Sequence, residues 1–154
     1  TKTDVDTLAS LGLRTIKIGS GEGPGPLPAY ALSKVPQVLV SLPWGLGNTI
    51  VNPGITYLST IPLYPAPIEA VSRVVQHQGY SDRHCGLRVA QYLIDRGSML
   101  LEKHFHLPGK GRNQAWNMSP EDVTCLRKWT ETCVCCVDGT TYAERWHDHP
   151  PTYP

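Results

Sequence analysis

Gly79-Tyr80-Ser81-Asp82-Arg83-His84-Cys85-Gly86 opens a stretch that continues through a helical pattern into Met99-Leu100-Leu101-Glu102-Lys103-His104-Phe105. The second half is an apolar run that stops abruptly at an acid, a base and an imidazole. That pattern reads as a buried strand running out into solvent with reactive side chains at its C-terminal end. In sheets of parallel strands alternating with helices, that rim is where chemistry is done.

The same grammar recurs toward the N-terminus. Short apolar runs near Thr15–Gly19, Gln37–Ser41 and Ile55–Thr60 join Gly79–Ser81 and Ser98–Lys103 as five expected strands, most of them continuous rather than alternating. Continuous runs suit parallel strands covered on both faces. Helical spacing appears at Val5, Leu8 and Leu11, at Val71, Val74 and Val75, and at Leu87, Ala90, Gln91 and Ile94, after which Gly97 stops the helix. This alternation predicts an α/β fold, with a parallel sheet or a (β/α) barrel. Ser119-Pro120-Glu121-Asp122 reads as the start of a last helix: a capping hydroxyl, a proline at the first helical position and two acids at the positive end of the dipole. Asn117-Met118-Ser119 also fits a glycosylation sequon, but the cap is the better reading. Between Ser41 and Ile55, Pro43, Gly45, Gly47, Pro53 and Gly54 leave no room for a stable helix and predict a loop.

Composition narrows the class. The 154 residues are 40% hydrophobic and 18% charged with a net charge of +1, so no basic run is present to track phosphates of nucleic acid. No apolar run approaches the roughly 18 residues of a membrane span. Glycine and proline number 14 each, short of the roughly 25–30% that marks low complexity, so many turns are expected rather than disorder. Cys133, Cys135 and Cys136 crowd one helical turn and read as reduced thiols, with a metal or redox cluster or disulfides as alternatives. With no apolar leader at the start, the expected location is cytoplasmic. The first residue is Thr1 rather than Met, which reads as a fragment boundary or a processed end. The domain is expected over 1–137, with 138–154 a Pro- and aromatic-rich tail that docks or is disordered.

Taken in order, Lys17-Ile18-Gly19-Ser20-Gly21-Glu22, Gln37-Val38-Leu39-Val40-Ser41, Tyr64-Pro65-Ala66-Pro67, Gly79-Tyr80-Ser81-Asp82, Glu102-Lys103-His104-Phe105 and Pro120-Glu121-Asp122 resemble the sialic acid synthases of the bacterial N-acetylneuraminate synthase type. The resemblance runs from Asp4 to about Trp129. It implies a partial or degenerate TIM-type (β/α) barrel corresponding to the family's fourth to eighth strands. It also implies condensation of phosphoenolpyruvate with an N-acetylated amino sugar of the N-acetylmannosamine type, with a divalent metal, manganese or magnesium. Carried over by position, Lys17, Ser20, Ser41 and Ser81 are the expected phosphoenolpyruvate contacts, and Tyr64 lies near the sugar. Glu102 is the expected catalytic acid–base contact to the amino sugar, and His104 a metal ligand. One ammonium and several hydroxyls converging from strand ends would form an anion cradle.

The departures from the family pattern are equally specific. Arg83 stands where a second metal histidine is expected, and His84 is displaced by one residue, which turns a strand side chain to the opposite face. A cation at Arg83 would repel a metal ion. Asn113 replaces an expected acid and Pro62 an expected asparagine. Counterparts of the family's first three strands and of its small C-terminal domain are absent from the sequence. Five strands do not close an eight-stranded barrel, so the open edges call for a protein partner or oligomer. Two functional classes are therefore expected to compete: a phosphoenolpyruvate-dependent synthase, and a non-catalytic structural or interaction module, with a split barrel between them. A zinc site from His104, His106, His147, His149 and Cys85 is the weaker alternative because no CxxC partner is present. Gly21-Glu22-Gly23-Pro24-Gly25 lacks the Lys-Ser/Thr of a phosphate loop and reads as a turn.

Overall fold

The computed structural model describes residues 1–43, 52–73, 78–98, 100–109 and 114–132. Val74, Val75, Asn113, the Cys133–Cys136 cluster, the tail and most of the link between Ser41 and Ile55 lie outside the described residues. Helix α1 (Lys2–Ser10) precedes β1 (Thr15–Ile18), α2 (Leu27–Leu32) precedes β2 (Gln37–Pro43), and β3 (Ile55–Thr60) follows. A 3-10 turn (Ile68–Arg73) leads to β4 (Gly79–Asp82), α3 (Arg88–Asp95), β5 (Leu100–Lys103) and α4 (Pro120–Thr132). All five strands pair in parallel in sequence order, β1-β2-β3-β4-β5. The fold is α/β, and the sheet curls into half of a TIM-type barrel.

The helices end where the sequence says they should. Thr1 and Asp4 form a reciprocal capping box at the start of α1, and Ser119 and Asp122 do the same for α4, Asp122 N donating to Ser119 Oγ at 3.2 Å and Ser119 N to Asp122 Oδ2 at 2.9 Å. Gly97, with φ of +81°, supplies the left-handed residue that stops α3. Two apolar faces differ from the sequence pattern. Leu11 is exposed because it falls just past the end of α1, and α3 buries Val89, Ala90 and Leu93 because Leu87 lies at its N-cap rather than inside it.

Packing follows from strand alternation. One core cluster joins Ile16, Ile18, Val38 and Val40 to Val5 of α1 and Ala31 of α2, and a second joins Tyr80 to Val89 and Leu93 of α3. Both lie on the convex, helix-covered face of the sheet. Buried aliphatic area here is the main favourable term, at about 25 cal/mol per Å². The concave face carries the opposite parity, which includes Lys17, Ser41, Ser81 and Glu102.

At the ends of β4 and β5 the convex face holds a buried polar cluster. Lys103 Nζ donates to Asp82 Oδ2 at 2.9 Å and to the His84 carbonyl at 2.6 Å, with both charged side chains fully buried. His84 donates its backbone N–H to Asp82 Oδ1 and its Nδ1 lies 2.8 Å from the same oxygen, while Nε2 faces the Pro67 carbonyl at 3.2 Å. Burial alone would raise the Asp82 pKa, but the His84 hydrogen bond and the Lys103 charge outweigh it and hold the carboxyl below its ordinary value. The cluster ties the β4–β5 ends to the loop that carries Pro67.

Two outcomes follow. Asp82→Ala leaves Lys103 buried without a counter-ion and is expected to cost about 3–5 kcal/mol in urea denaturation, whereas Asp82→Leu combined with Lys103→Met should cost clearly less; equal losses would show that the charge pair is not what the site depends on. Gly79→Ala places a methyl against the Leu100 carbonyl and 2.7 Å from Leu58 Cδ2, and is expected to cost about 1–3 kcal/mol by overpacking, seen as a lower Tm.

Candidate functional site

Strand register decides which side chains meet inside the half-barrel. Laterally aligned residues of a parallel pair share a face. Lys17 aligns with Leu39 of β2, Ser41 with Leu58 of β3, Thr60 with Ser81 of β4, and Ser81 with Glu102 of β5. The two outermost strands would lie about 19 Å apart in a flat sheet, four steps of roughly 4.8 Å. Yet Lys17 Nζ and Glu102 Oε2 are 2.9 Å apart. The sheet is curled far enough for its two edge strands to face each other across the mouth.

Glu102 is the centre of this contact. Its carboxylate takes the Lys17 ammonium and a hydrogen bond from Ser81. Burial would raise its pKa, but the hydrogen bonds of Lys17 and Ser81 and the charges of Lys17 and His104 outweigh that and keep it below its ordinary value. Ser81 is buried, and its carbonyl accepts the Thr60 hydroxyl at 2.9 Å. Ser41 is fully buried, and its hydroxyl has no hydrogen-bond partner among the described residues.

Around that pair lies an aromatic and cationic rim. Arg83, two residues beyond Ser81, regains the concave parity, and its Nη2 donates to Ser20 Oγ at 3.2 Å. Its guanidinium carbon lies 4.4 Å from the centre of the Tyr64 ring. Tyr64 Oη is 3.4 Å from His104 Nε2, and the two rings meet edge to face at 5.5 Å. Trp116 packs against Tyr64 with centroids 5.3 Å apart and the rings tilted at 52°.

Lys17, Ser81 and Glu102 are therefore in direct contact, and Ser20, Tyr64 and His104 are joined through Arg83 and Tyr64. Ser41 shares their face but bonds to none of them. Arg83 as the connecting side chain was readable from period-two counting along Ser81-Asp82-Arg83; Trp116 carried no such signal, because it arrives from a segment remote in sequence. His84 faces away, held on the convex side by Asp82.

The divalent metal implied by the resemblance does not fit these residues. The position expected to hold a second histidine is filled by the Arg83 guanidinium, and His104 turns its Nε2 toward a phenol. Among the described residues, no group of three or more His, Cys, Asp or Glu side chains could hold a metal ion.

No family model and no curated protein matches the chain. Among solved structures, the chain superposes on the spore coat polysaccharide biosynthesis protein E of Chromobacterium violaceum with a TM-score of 0.71 at 18% identity, covering 96% of this chain and 52% of that one. It also superposes on an N-acetylneuraminic acid synthetase of Leptospira borgpetersenii in complex with citrate, with a TM-score of 0.67 at 16% identity, covering 99% of this chain and 57% of that one. The chain thus spans little more than half the length of the structures it matches. It has the fold of one half of their barrel.

Proposed function

We propose that this chain is a sialic acid synthase-like module of carbohydrate biosynthesis whose concave mouth binds phosphoenolpyruvate and an N-acetylated amino sugar for carbon–carbon bond formation. The observation that carries the reading is the convergence of Lys17, Ser81 and Glu102, from β1, β4 and β5, on one point at the C-terminal end of the strands. Ser20, Ser41 and Ser81 offer hydroxyl donors to the phosphate and carboxylate of the donor, and Lys17 offers charge. Glu102 orients the acceptor hydroxyls or amide, and Tyr64 with Trp116 offers a ring face to the sugar. Acceleration would come from holding the two substrates in register and stabilising developing charge. The free edges of β1 and β5 require the remainder of a barrel, from the same protein or from a second polypeptide.

A second reading is favoured by two specific features. Arg83 replaces the histidine expected at the metal position, and Lys17 is already neutralised by Glu102. Both suit a non-catalytic interaction module that keeps the barrel's shape. Within the described residues, no helix is long and apolar enough to cross a membrane.

Ligand-dependent melting separates the two. A ligand that binds only the folded state at ten times its Kd stabilises it by about 1.4 kcal/mol, which is about 3–6 °C for a domain of this size. Phosphoenolpyruvate at millimolar concentration is expected to raise the Tm of the wild type by that amount and of Lys17→Met by much less. No shift with phosphoenolpyruvate or N-acetylmannosamine would leave the interaction module standing.

The Glu102 carboxylate makes a separate prediction. Because its folded pKa lies below the ordinary 4.5, its contribution to stability is present above pH 4.5 and is lost as the pH falls through the folded value. Urea midpoints of the wild type and Glu102→Gln should therefore differ at pH 7 and approach each other as the pH falls below 4.5. A constant difference across that range would mean the ion pair contributes nothing.

A further inference from the structure

Arg83 is 8% exposed, so its charge is largely removed from water. A buried cation is costly unless it is paired. The other buried cation at the strand ends obeys this rule, Lys103 being held by Asp82. Arg83 does not. Its contacts are the Ser20 hydroxyl and the face of Tyr64, its Nε has no acceptor, and no carboxylate among the described residues lies within ion-pair distance of it. Glu102, the acid on the concave face, is engaged by Lys17.

The side chain is nevertheless firmly placed. The Arg83 carbonyl accepts the Ala66 N–H at 2.9 Å, and the residues on either side of it are fixed on the convex face by the Asp82–His84 hydrogen bonds. The guanidinium lies against Tyr64 rather than extending into solvent. A fork of N–H donors held over a ring, with an unused donor and a hydroxyl beside it, matches an anion with two coplanar oxygens. Lys17 and Glu102 pair with each other, so among the described residues of the mouth Arg83 is a buried cation with no carboxylate partner.

We infer that Arg83, with Ser20 and Tyr64, forms an oxyanion site that takes a carboxylate or phosphate group directly, at the position where the resemblance would have placed a metal histidine. The site does not depend on which sugar or donor the protein uses, or on whether it turns over. It adds Arg83 to Lys17 as a charge that meets the anion, and one that no carboxylate among the described residues neutralises. It also explains why a guanidinium is tolerated under nine-tenths burial: its counter-ion comes with the ligand.

The test is melting and titration calorimetry of the whole chain in EDTA, with inorganic phosphate and with pyruvate as separate probes and sodium chloride at matched ionic strength as the control. The expected result is a rise in Tm with at least one probe, unchanged by EDTA and absent in chloride; the probe that binds tells phosphate from carboxylate. Arg83→Gln is expected to lose at least tenfold in affinity while melting, without anion, no lower than the wild type, because an unpaired buried charge has been removed. Arg83→Lys keeps the charge without the fork and is expected to bind several-fold more weakly than the wild type. Equal stabilisation of wild type and Arg83→Gln, stabilisation that appears only when manganese is added, or no stabilisation by either anion would overturn the proposal. Should Arg83→Gln fail to fold, undiminished binding by Arg83→Lys would do the same. Binding of phosphoenolpyruvate that persists in Arg83→Gln would overturn this site while leaving the synthase reading intact. Binding of phosphate or pyruvate without any response to N-acetylmannosamine would do the reverse.

Discussion

The contact between Lys17 and Glu102 is possible only because the sheet is curled, and the remaining arrangement of the mouth depends on that curvature. In a flat five-stranded sheet the side chains of β1 and β5 would point the same way without meeting. Strand twist, intrinsic to chains of L-residues, accumulates over five strands covered by helices on one face and brings the inward-facing side chains of opposite edges within ion-pair distance. The ion pair reports the curvature more than it creates it, since both partners remain partly exposed and such pairs are worth little by themselves. The energy that holds the curl lies on the convex face, in the aliphatic layers under α1, α2 and α3.

Residues 81 to 84 show how one short segment serves two purposes. Ser81 and Arg83 turn inward; Asp82 and His84 turn outward. The outward pair enters a fully hydrogen-bonded cluster with Lys103, whose charges are balanced and whose role is to tie two strand ends and a loop together. The inward pair enters a mouth where Arg83 has no carboxylate partner among the described residues. In a low dielectric a fully satisfied network rigidifies the fold, whereas a polar group left without a partner is costly. Here the two cases are separated by a single peptide unit.

The likeness to two larger barrels, at identities of 18% and 16%, concerns the path of the backbone. It fits a chain whose strand edges, β1 on one side and β5 on the other, have no paired neighbour among the described residues. Half-barrels of this kind leave backbone donors and acceptors along both edges without a strand partner.

Much of the architecture was legible in the residues. The five strands lie where continuous apolar runs predicted them, with ends moved by one or two residues, and Gly97 and Ser119 bound helices as their conformational preferences require. These are local properties, set by steric freedom, capping hydroxyls and the need of a strand buried on both faces to be apolar throughout. The gathering of Lys17, Ser81 and Glu102 at one mouth was an expectation from strand order and resemblance, and parity along β4 placed Arg83 with Ser81. What only the tertiary structure decided was who neutralises whom. No sequence separation indicates that Lys17 would meet Glu102 rather than face open space, that Lys103 would turn to Asp82 on the other side of the sheet, or that Trp116 would reach Tyr64. Those pairings depend on how far the sheet curls, a collective result of all the packing contacts, and it is this curl that leaves Arg83 buried with no counter-ion among the described residues.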